Sequence, residues 1–196
     1  MSAAPHAPAR ARDRSLAAVA VRLSVVAAGT GLLLMRTQLA TVPDARRVDL
    51  LALLYGVMLA AALAVPVRAG RPRARPATVL AVGLGAIGLA AAVSGRPAAV
   101  PFGSWVLPLA LLAAVAEEAL FRRAAYGLLE PLGAAAAVVL TALLFAGIHL
   151  PLYGVSAFPV DLGAGLLFGW QRYASGTWSI PAGTHAAANF LAVTLR

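Results

Sequence analysis

The chain has 196 residues, of which 61% are hydrophobic, and its mean hydropathy is +0.85. A soluble domain averages about 45–50% apolar residues, so this composition excludes an ordinary soluble fold. The net charge is +9 and the 16 basic residues are all arginines. They gather between apolar runs, so membrane orientation explains them better than nucleic-acid binding. The absence of cysteine excludes disulfides, thiolate metal sites and a cysteine nucleophile.

Apolar runs of helical length follow one another along the chain and are separated by Pro, Gly and Arg. Residues 1–15 are rich in Ala, Pro and Arg and are predicted to be a disordered basic tail. The later runs suit helices that cross a hydrocarbon core of roughly 30 Å. They lie at about 16–35, 49–67, 77–95, 103–129, 133–150, 159–174 and 177–195. The sequence therefore predicts an all-α polytopic membrane helix bundle with about seven transmembrane helices, formed by residues 16–196 as a single domain.

The arginines are unevenly shared between the two sets of connecting segments. With the N-terminus inside, the inner segments contain Arg10, Arg12, Arg14, Arg68, Arg71, Arg73, Arg75, Arg122, Arg123 and Arg172. The outer segments contain Arg36, Arg46, Arg47, Arg96 and Arg196. Because basic residues concentrate in cytoplasmic loops, this distribution predicts a cytoplasmic N-terminus. The bias towards Arg, Ala and Gly is typical of a GC-rich genome, which favours a bacterial plasma membrane.

Three short polar patches interrupt the apolar runs. They are Glu117-Glu118 with Arg122, Phe145 with His149, and His185 with Asn189, the one asparagine of the chain. Ionisable side chains are costly inside a membrane and persist mainly where they face the protein interior and serve a function. Measured from the predicted inner ends of their helices, the three patches lie at depths of roughly 20, 24 and 14 Å. Helix tilt absorbs such differences, so the spacing favours one shared site near mid-membrane.

Each patch also has a purely structural interpretation. Glu118 and Arg122 are four residues apart on one helix and can form an internal ion pair. The two histidine patches can serve as polar contacts between helices. Glu117 points about 100° round the helix from Glu118 and has no ion-pair partner on its own helix. The lack of a partner on the same helix favours a chemical role for the Glu117 carboxylate over a structural one.

The three patches resemble the motifs of the CAAX-protease and bacteriocin-processing (CPBP, or Abi) family of intramembrane proteases. The family motif Glu-Glu-x-x-x-Arg is matched at 117–122, Phe-x-x-x-His at 145–149, and His-x-x-x-Asn at 185–189. The resemblance covers about residues 100–195, which we therefore expect to form the catalytic core. It is specific because all three motifs occur in order on successive predicted helices.

The resemblance implies hydrolysis of a peptide bond in a membrane-associated protein or peptide, with membrane lipid as the other partner. The implied catalytic residues are Glu117, His149, His185 and Asn189, supported by Glu118, Arg122 and Phe145. The glutamate would take a proton from a water that the first histidine holds. The second histidine and the asparagine would donate hydrogen bonds to the developing oxyanion, a task suited to preorganised donors.

The sequence leaves two further choices. Glu117, His149 and His185 can bind zinc with an open position, as in a metalloendopeptidase. Asn189 is better suited to donate a hydrogen bond than to bind zinc, which favours a glutamate-dependent enzyme without a metal cofactor. The alternative functions are a non-catalytic self-immunity or scaffold protein of the same fold, and a small proton-coupled transporter. Internal repeats are typical of transporters and none is visible here.

Overall fold

The computed structural model describes residues 9–67, 69–93 and 105–195, with side chains from residue 16 onward except at positions 40 and 45. All regular secondary structure in these ranges is helical. This confirms the predicted all-α class. The first half of the predicted basic tail, residues 1–8, lies outside the described residues.

The helices follow the predicted order. They are α1 (Ala9–Met35), α2 (Asp44–Ala64), α3 (Pro76–Val93), α4 (Val106–Glu118), α5 (Tyr126–Leu129), α6 (Ala134–Tyr153), α7 (Phe158–Ser175) and α8 (Ser179–Thr194). A π-helical segment, Ala119–Ala125, joins α4 to α5. These three elements together occupy the position of the single helix predicted over 103–129.

Some boundaries differ from the predicted ones. Helix α1 begins at Ala9 rather than at residue 16, and α2 begins at Asp44 rather than 49. Helix α6 continues past Pro151 to Tyr153 and ends at Gly154, whose φ is +78°. Pro151 has no N–H to donate to the carbonyl of Gly147, so the last turns of α6 lack one backbone hydrogen bond.

Four helical segments are long and apolar enough to span a membrane on their own: Leu16–Leu39, Arg46–Ala64, Pro76–Val93 and Ala134–Tyr153. They support an integral membrane protein. Of the remaining predicted spans, the one that includes α4 carries the charges of the first motif, and α8 has 16 residues. Helix α7 has 18 residues but is more polar, with Asp161, Gln171 and Arg172. The number of helices that cross the membrane and the side on which the N-terminus lies stay predictions.

Helices α6 and α7 pack closely because small residues line their contact. A Cβ atom added to Gly165 would lie 2.9 Å from the Cα of Ala142, and one added to Gly169 would lie 3.0 Å from the Val138 side chain. Small residues spaced in this way allow two membrane helices to approach. The close packing brings the backbone of α7 next to the motif residues of α6.

Three phenylalanines form a buried cluster beside the motif residues. The ring of Phe145 meets those of Phe121 and Phe168 edge to face, at centroid distances of 5.6 and 6.1 Å. All three side chains are at most 3% exposed. Such edge-to-face packing fixes ring orientation as well as burying area. The cluster therefore packs with fixed ring orientations against the polar side chains of the motifs.

Candidate active site

The four residues that the resemblance marks as catalytic line one cavity. Its volume is about 310 Å³ and its lining includes Glu117 from α4, His149 from α6, and His185 and Asn189 from α8. Tyr55 of α2, Tyr153 of α6 and an arginine described below also line it. Patches that are far apart in sequence therefore meet at one place, as the similar predicted depths required.

Glu117 has an ion-pair partner from the far end of the chain. Arg36 follows the end of α1, and its Nη1 donates a hydrogen bond of 2.7 Å to Glu117 Oε1. The same nitrogen lies 3.4 Å from the hydroxyl oxygen of Tyr55. This contact agrees with the prediction that Glu117 has no ion-pair partner on its own helix, but the partner from another element was not predicted, because helix spacing reveals partners on the same helix only. Arg36 is 8% exposed, so it also does not act as the loop charge that the orientation argument made of it.

The second carboxylate oxygen of Glu117 faces His149. Glu117 Oε2 lies 3.8 Å from His149 Nε2, which is too long for a direct hydrogen bond. His149 Nδ1 lies 2.7 Å from the carbonyl oxygen of Phe145. A carbonyl can only accept, so Nδ1 carries the proton and Nε2 presents a lone pair in the neutral ring. Two acceptors thus face each other across a gap that one water molecule can bridge by donating to both.

Glu118 serves the other histidine. Its Oε1 lies 3.0 Å from His185 Nδ1, and its Oε2 forms an ion pair with Arg122 Nε at 3.2 Å. The predicted pair between Glu118 and Arg122 is confirmed, and both side chains are fully buried. The contact with His185 adds a link that spacing alone could not show. Because a carboxylate accepts from Nδ1–H, Nε2 of this ring carries a proton only in the imidazolium form.

Arg122 and Phe145 support the site from beneath. Arg122 Nη2 donates to the carbonyl of Gly165 on α7 at 3.0 Å, and its guanidinium lies 4.8 Å from the centroid of the Phe145 ring. That ring lies 4.5 Å from the ring of His149 and 5.7 Å from that of His185. One aromatic side chain thus contacts both motif histidines and the motif arginine. This arrangement fits the supporting role expected of both residues.

Asn189 connects the two helices that border the cavity. Its Nδ2 donates a hydrogen bond of 2.9 Å to the carbonyl of Ala110 on α4. One amide hydrogen is thereby engaged, and the residue lines the cavity. The predicted oxyanion role therefore rests on a single remaining N–H group of this side chain.

The π-helical segment directly follows the two glutamates. A π turn changes which carbonyls find partners within the helix, and such turns are frequent at functional sites. Here Arg172 of α7 donates from Nε to the carbonyl of Arg122 at 3.0 Å. This segment was not predicted, because its residue types are all compatible with an ordinary α-helix.

Sequence reasoning also missed Asp161, in the first turn of α7. Its Oδ2 is buried without a hydrogen-bond partner among the described residues, and it interacts electrostatically with His149. Like Arg36, it lies outside the three motifs. At both Asp161 and Arg36, the available sequence signal was a charged residue at the edge of an apolar run.

The residues present fit a zinc ion poorly. Zinc–nitrogen and zinc–oxygen bonds are about 2.0–2.2 Å long, and the ligating carboxylate should be free to bind. The guanidinium of Arg36 is already 2.7 Å from Glu117, so a dication beside this carboxylate would meet a fixed positive charge. Among the described residues, no three His, Cys, Asp or Glu side chains are arranged to hold a metal.

The comparison with protein families agrees with the motifs. The family model described as type II CAAX prenyl endopeptidase Rce1-like matches residues 99–191. Residues 99–191 form an Rce1-like region. This confirms the resemblance to the CPBP family and supports, at family level, an endopeptidase of the membrane that acts on a protein or peptide. No curated protein and no solved structure matches the chain.

The Rce1-like region contains all four cavity residues that the motifs predicted. It extends from before α4 into α8 and so includes Glu117, His149, His185 and Asn189. Arg36 lies outside it, although its side chain contacts Glu117. The cavity is therefore completed by a part of the chain to which the family match does not extend.

Proposed function

We propose that the protein is an intramembrane endopeptidase that hydrolyses a peptide bond of a membrane-associated protein or peptide, in the manner of a CAAX prenyl protease. The observation that carries the proposal is the 3.8 Å gap between Glu117 Oε2 and His149 Nε2. Both atoms accept hydrogen bonds, and both residues line the cavity. The gap has the length and polarity needed to hold and activate a water molecule.

In this mechanism a water donates one hydrogen to Glu117 and the other to His149, so that its oxygen lone pair points to the substrate. Its oxygen attacks the peptide carbonyl carbon while its proton moves to Glu117. The carbonyl oxygen becomes the oxyanion of a tetrahedral intermediate. Collapse of the intermediate breaks the C–N bond, and the proton held by Glu117 passes to the leaving amine.

Arg36 has a positioning role in this scheme. It holds Glu117 Oε1 by a charge-assisted hydrogen bond and leaves Oε2 for the water. General base chemistry typically contributes about 10²–10⁴-fold in rate, so the orientation of one carboxylate matters.

His185 and Asn189 are the proposed oxyanion donors. Glu118 accepts from His185 Nδ1 and so orients the ring, whose Nε2 would be the donor when the ring carries its second proton. Asn189 supplies its remaining amide hydrogen. The ion pair between Glu118 and Arg122 fixes the carboxylate that orients the His185 ring. The arrangement follows the same principle as a carboxylate that orients and stabilises a catalytic histidine.

The proposed reaction needs no metal ion. Arg36 supplies a fixed positive charge beside Glu117, and the gap to His149 suits a water that is activated by the two side chains alone. Zinc lowers the pKa of a bound water when it supplies the nucleophile. Here the glutamate and histidine would perform that task directly.

An assay in reconstituted membranes separates the proposal from its two alternatives. Purified protein in proteoliposomes is given a library of lipidated peptides, and cleavage products are identified by mass spectrometry while a trapped dye reports proton flux. We expect peptide cleavage without proton flux. Proton flux without cleavage would favour a transporter, and neither signal would favour a scaffold or self-immunity protein. A cleaved peptide also identifies the substrate bond.

A further inference from the structure

A second cavity lies at the opposite end of α8 from the candidate active site. Its volume is about 170 Å³, and it forms where the connection between α2 and α3 meets the junction of α7 and α8. Its lining residues are Val67, Ala69, Arg123, Arg172, Gly176, Thr177 and Trp178. The first cavity is lined near the C-terminal end of α8, so the two share no residue.

Two arginines are anchored in the wall of this cavity. Arg123 Nη1 donates to the carbonyls of Ala62 and Val65 at the end of α2, and Arg172 Nε donates to the carbonyl of Arg122. Their other guanidinium nitrogens make no hydrogen bond within the part of the chain that the structure describes. Neither arginine forms an ion pair with a described carboxylate within 4.0 Å. Each guanidinium is thus held in place and still has N–H groups that can donate hydrogen bonds to a ligand.

The surroundings of the cavity are strongly basic. Arg71, Arg73 and Arg75 are exposed in the adjoining connection between α2 and α3. Glu130 is the one carboxylate at this end of the bundle whose side chain the structure describes. An excess of positive charge of this kind attracts anions, and a recessed site with low-dielectric walls focuses the field.

The connection is fixed against the α7–α8 junction. The Gly70 amide donates to the Gly176 carbonyl at 3.0 Å, and the Arg73 amide donates to the Ala174 carbonyl at 2.8 Å. Gly176 has a φ of +72°, and a Cβ there would lie 2.5 Å from the Gly70 oxygen. Only glycine suits this close, left-handed position. The cavity therefore has a defined rim.

We propose that this cavity binds the phosphate group of an anionic lipid such as phosphatidylglycerol. Guanidinium groups match the geometry of phosphate oxygens, and basic pockets between membrane helices bind anionic headgroups. Trp178 fits the boundary between apolar and polar layers, where tryptophan is enriched in membrane proteins. The volume exceeds the roughly 30 Å³ that a water molecule takes up in the liquid, which leaves space for a headgroup phosphate.

Native mass spectrometry of the whole protein, released from nanodiscs of phosphatidylcholine with a minor fraction of phosphatidylglycerol, tests the proposal. We expect retention of one phosphatidylglycerol per chain. Arg123→Gln should lower this retention about tenfold or more, because a charged hydrogen-bond donor is lost. Arg75→Gln removes the same charge from the same end outside the cavity and is the matched control, with retention close to that of the unaltered protein.

Two further measurements keep the test decisive. Ala69→Leu fills the cavity mouth without a change in charge and should also abolish retention, even where Arg123→Gln lowers stability. Inorganic phosphate is added to the detergent-solubilised protein to identify the source of the phosphate group. Competition at millimolar phosphate would support the same site with free phosphate as its ligand. Equal retention of both lipids, or equal loss in Arg75→Gln, would overturn the proposal. None of these readouts depends on proteolytic activity.

Discussion

Arg36 and Glu117 form a buried ion pair of 2.7 Å although 81 positions separate them in the sequence. The pair joins the end of α1 to the motif helix α4. It occupies one carboxylate oxygen and leaves the other towards His149. The N-terminal part of the chain is therefore more than a set of apolar spans, because it contributes a side chain to the candidate site.

Replacement of Arg36 tests this contribution. Arg36→Ala should lower kcat about 10–100-fold, in line with the loss of a hydrogen bond to a charged group, while KM changes little. Arg36→Lys should recover part of kcat, because an ammonium group can still pair with Glu117. Steady-state kinetics on both variants, with the exposed Arg46→Ala as control, provide the measurement. No recovery in the lysine variant, with a loss confined to KM, would contradict a positioning role.

The pair of Glu118 and Arg122 should matter more for stability than the pair at Glu117. Both side chains are fully buried, and removal of one leaves a buried charge without its partner. Arg122→Ala should therefore lower the free energy of unfolding by about 3–5 kcal/mol. Thermal unfolding in detergent measures the effect, and Arg46→Ala again serves as the exposed control. An unchanged Tm would show that the pair is not structurally important.

Glu118 also has a chemical role in the account. Glu118→Gln keeps the shape of the side chain but replaces the charged acceptor of His185 Nδ1–H by a neutral amide, so the proposed oxyanion donor is held less firmly. Loss of one such donor typically costs about 10²–10³-fold in kcat. We expect a fall in kcat with KM nearly unchanged. A variant that loses substrate affinity but keeps kcat would place His185 in substrate binding instead.

Metal independence is tested by elemental analysis together with chelation. The purified protein should contain far less than one zinc per chain and should keep its activity in strong chelator. The physical reason is the guanidinium of Arg36 beside Glu117, which opposes a dication at the same carboxylate. One zinc per chain, with activity lost on its removal and restored on its return, would make Glu117, His149 and His185 the ligand candidates.

The sequence predicted those features of the fold and the site that follow from spacing along a single helix. The seven apolar runs predicted the helix order, and the spacing of Glu118 and Arg122 predicted their ion pair. The similar depths of the three motifs predicted a common site, and all four residues line one cavity. These inferences succeed because helical geometry converts sequence spacing directly into position.

The features that the sequence could not reveal depend on contacts between helices. The partner of Glu117 lies on another helix, and so does His185, the partner of Glu118. Neither contact produces a periodic pattern in the sequence. The π-helical segment was also unforeseen, because its local sequence resembles that of an ordinary helix. The early start of α1, within the predicted basic tail, shows the same limit at a helix end.

Glu117 activates the attacking water in the proposed mechanism, and Glu117→Gln is the decisive test of this role. The amide keeps the size of the side chain but cannot accept the proton. Single-turnover cleavage of the identified peptide should slow by about 10²–10⁴-fold, the usual contribution of a general base. Glu130→Gln alters an exposed carboxylate and is the matched control, which should cleave at the rate of the unaltered protein. Thermal unfolding curves should show that both variants are folded. Cleavage by Glu117→Gln at the full rate would contradict the mechanism.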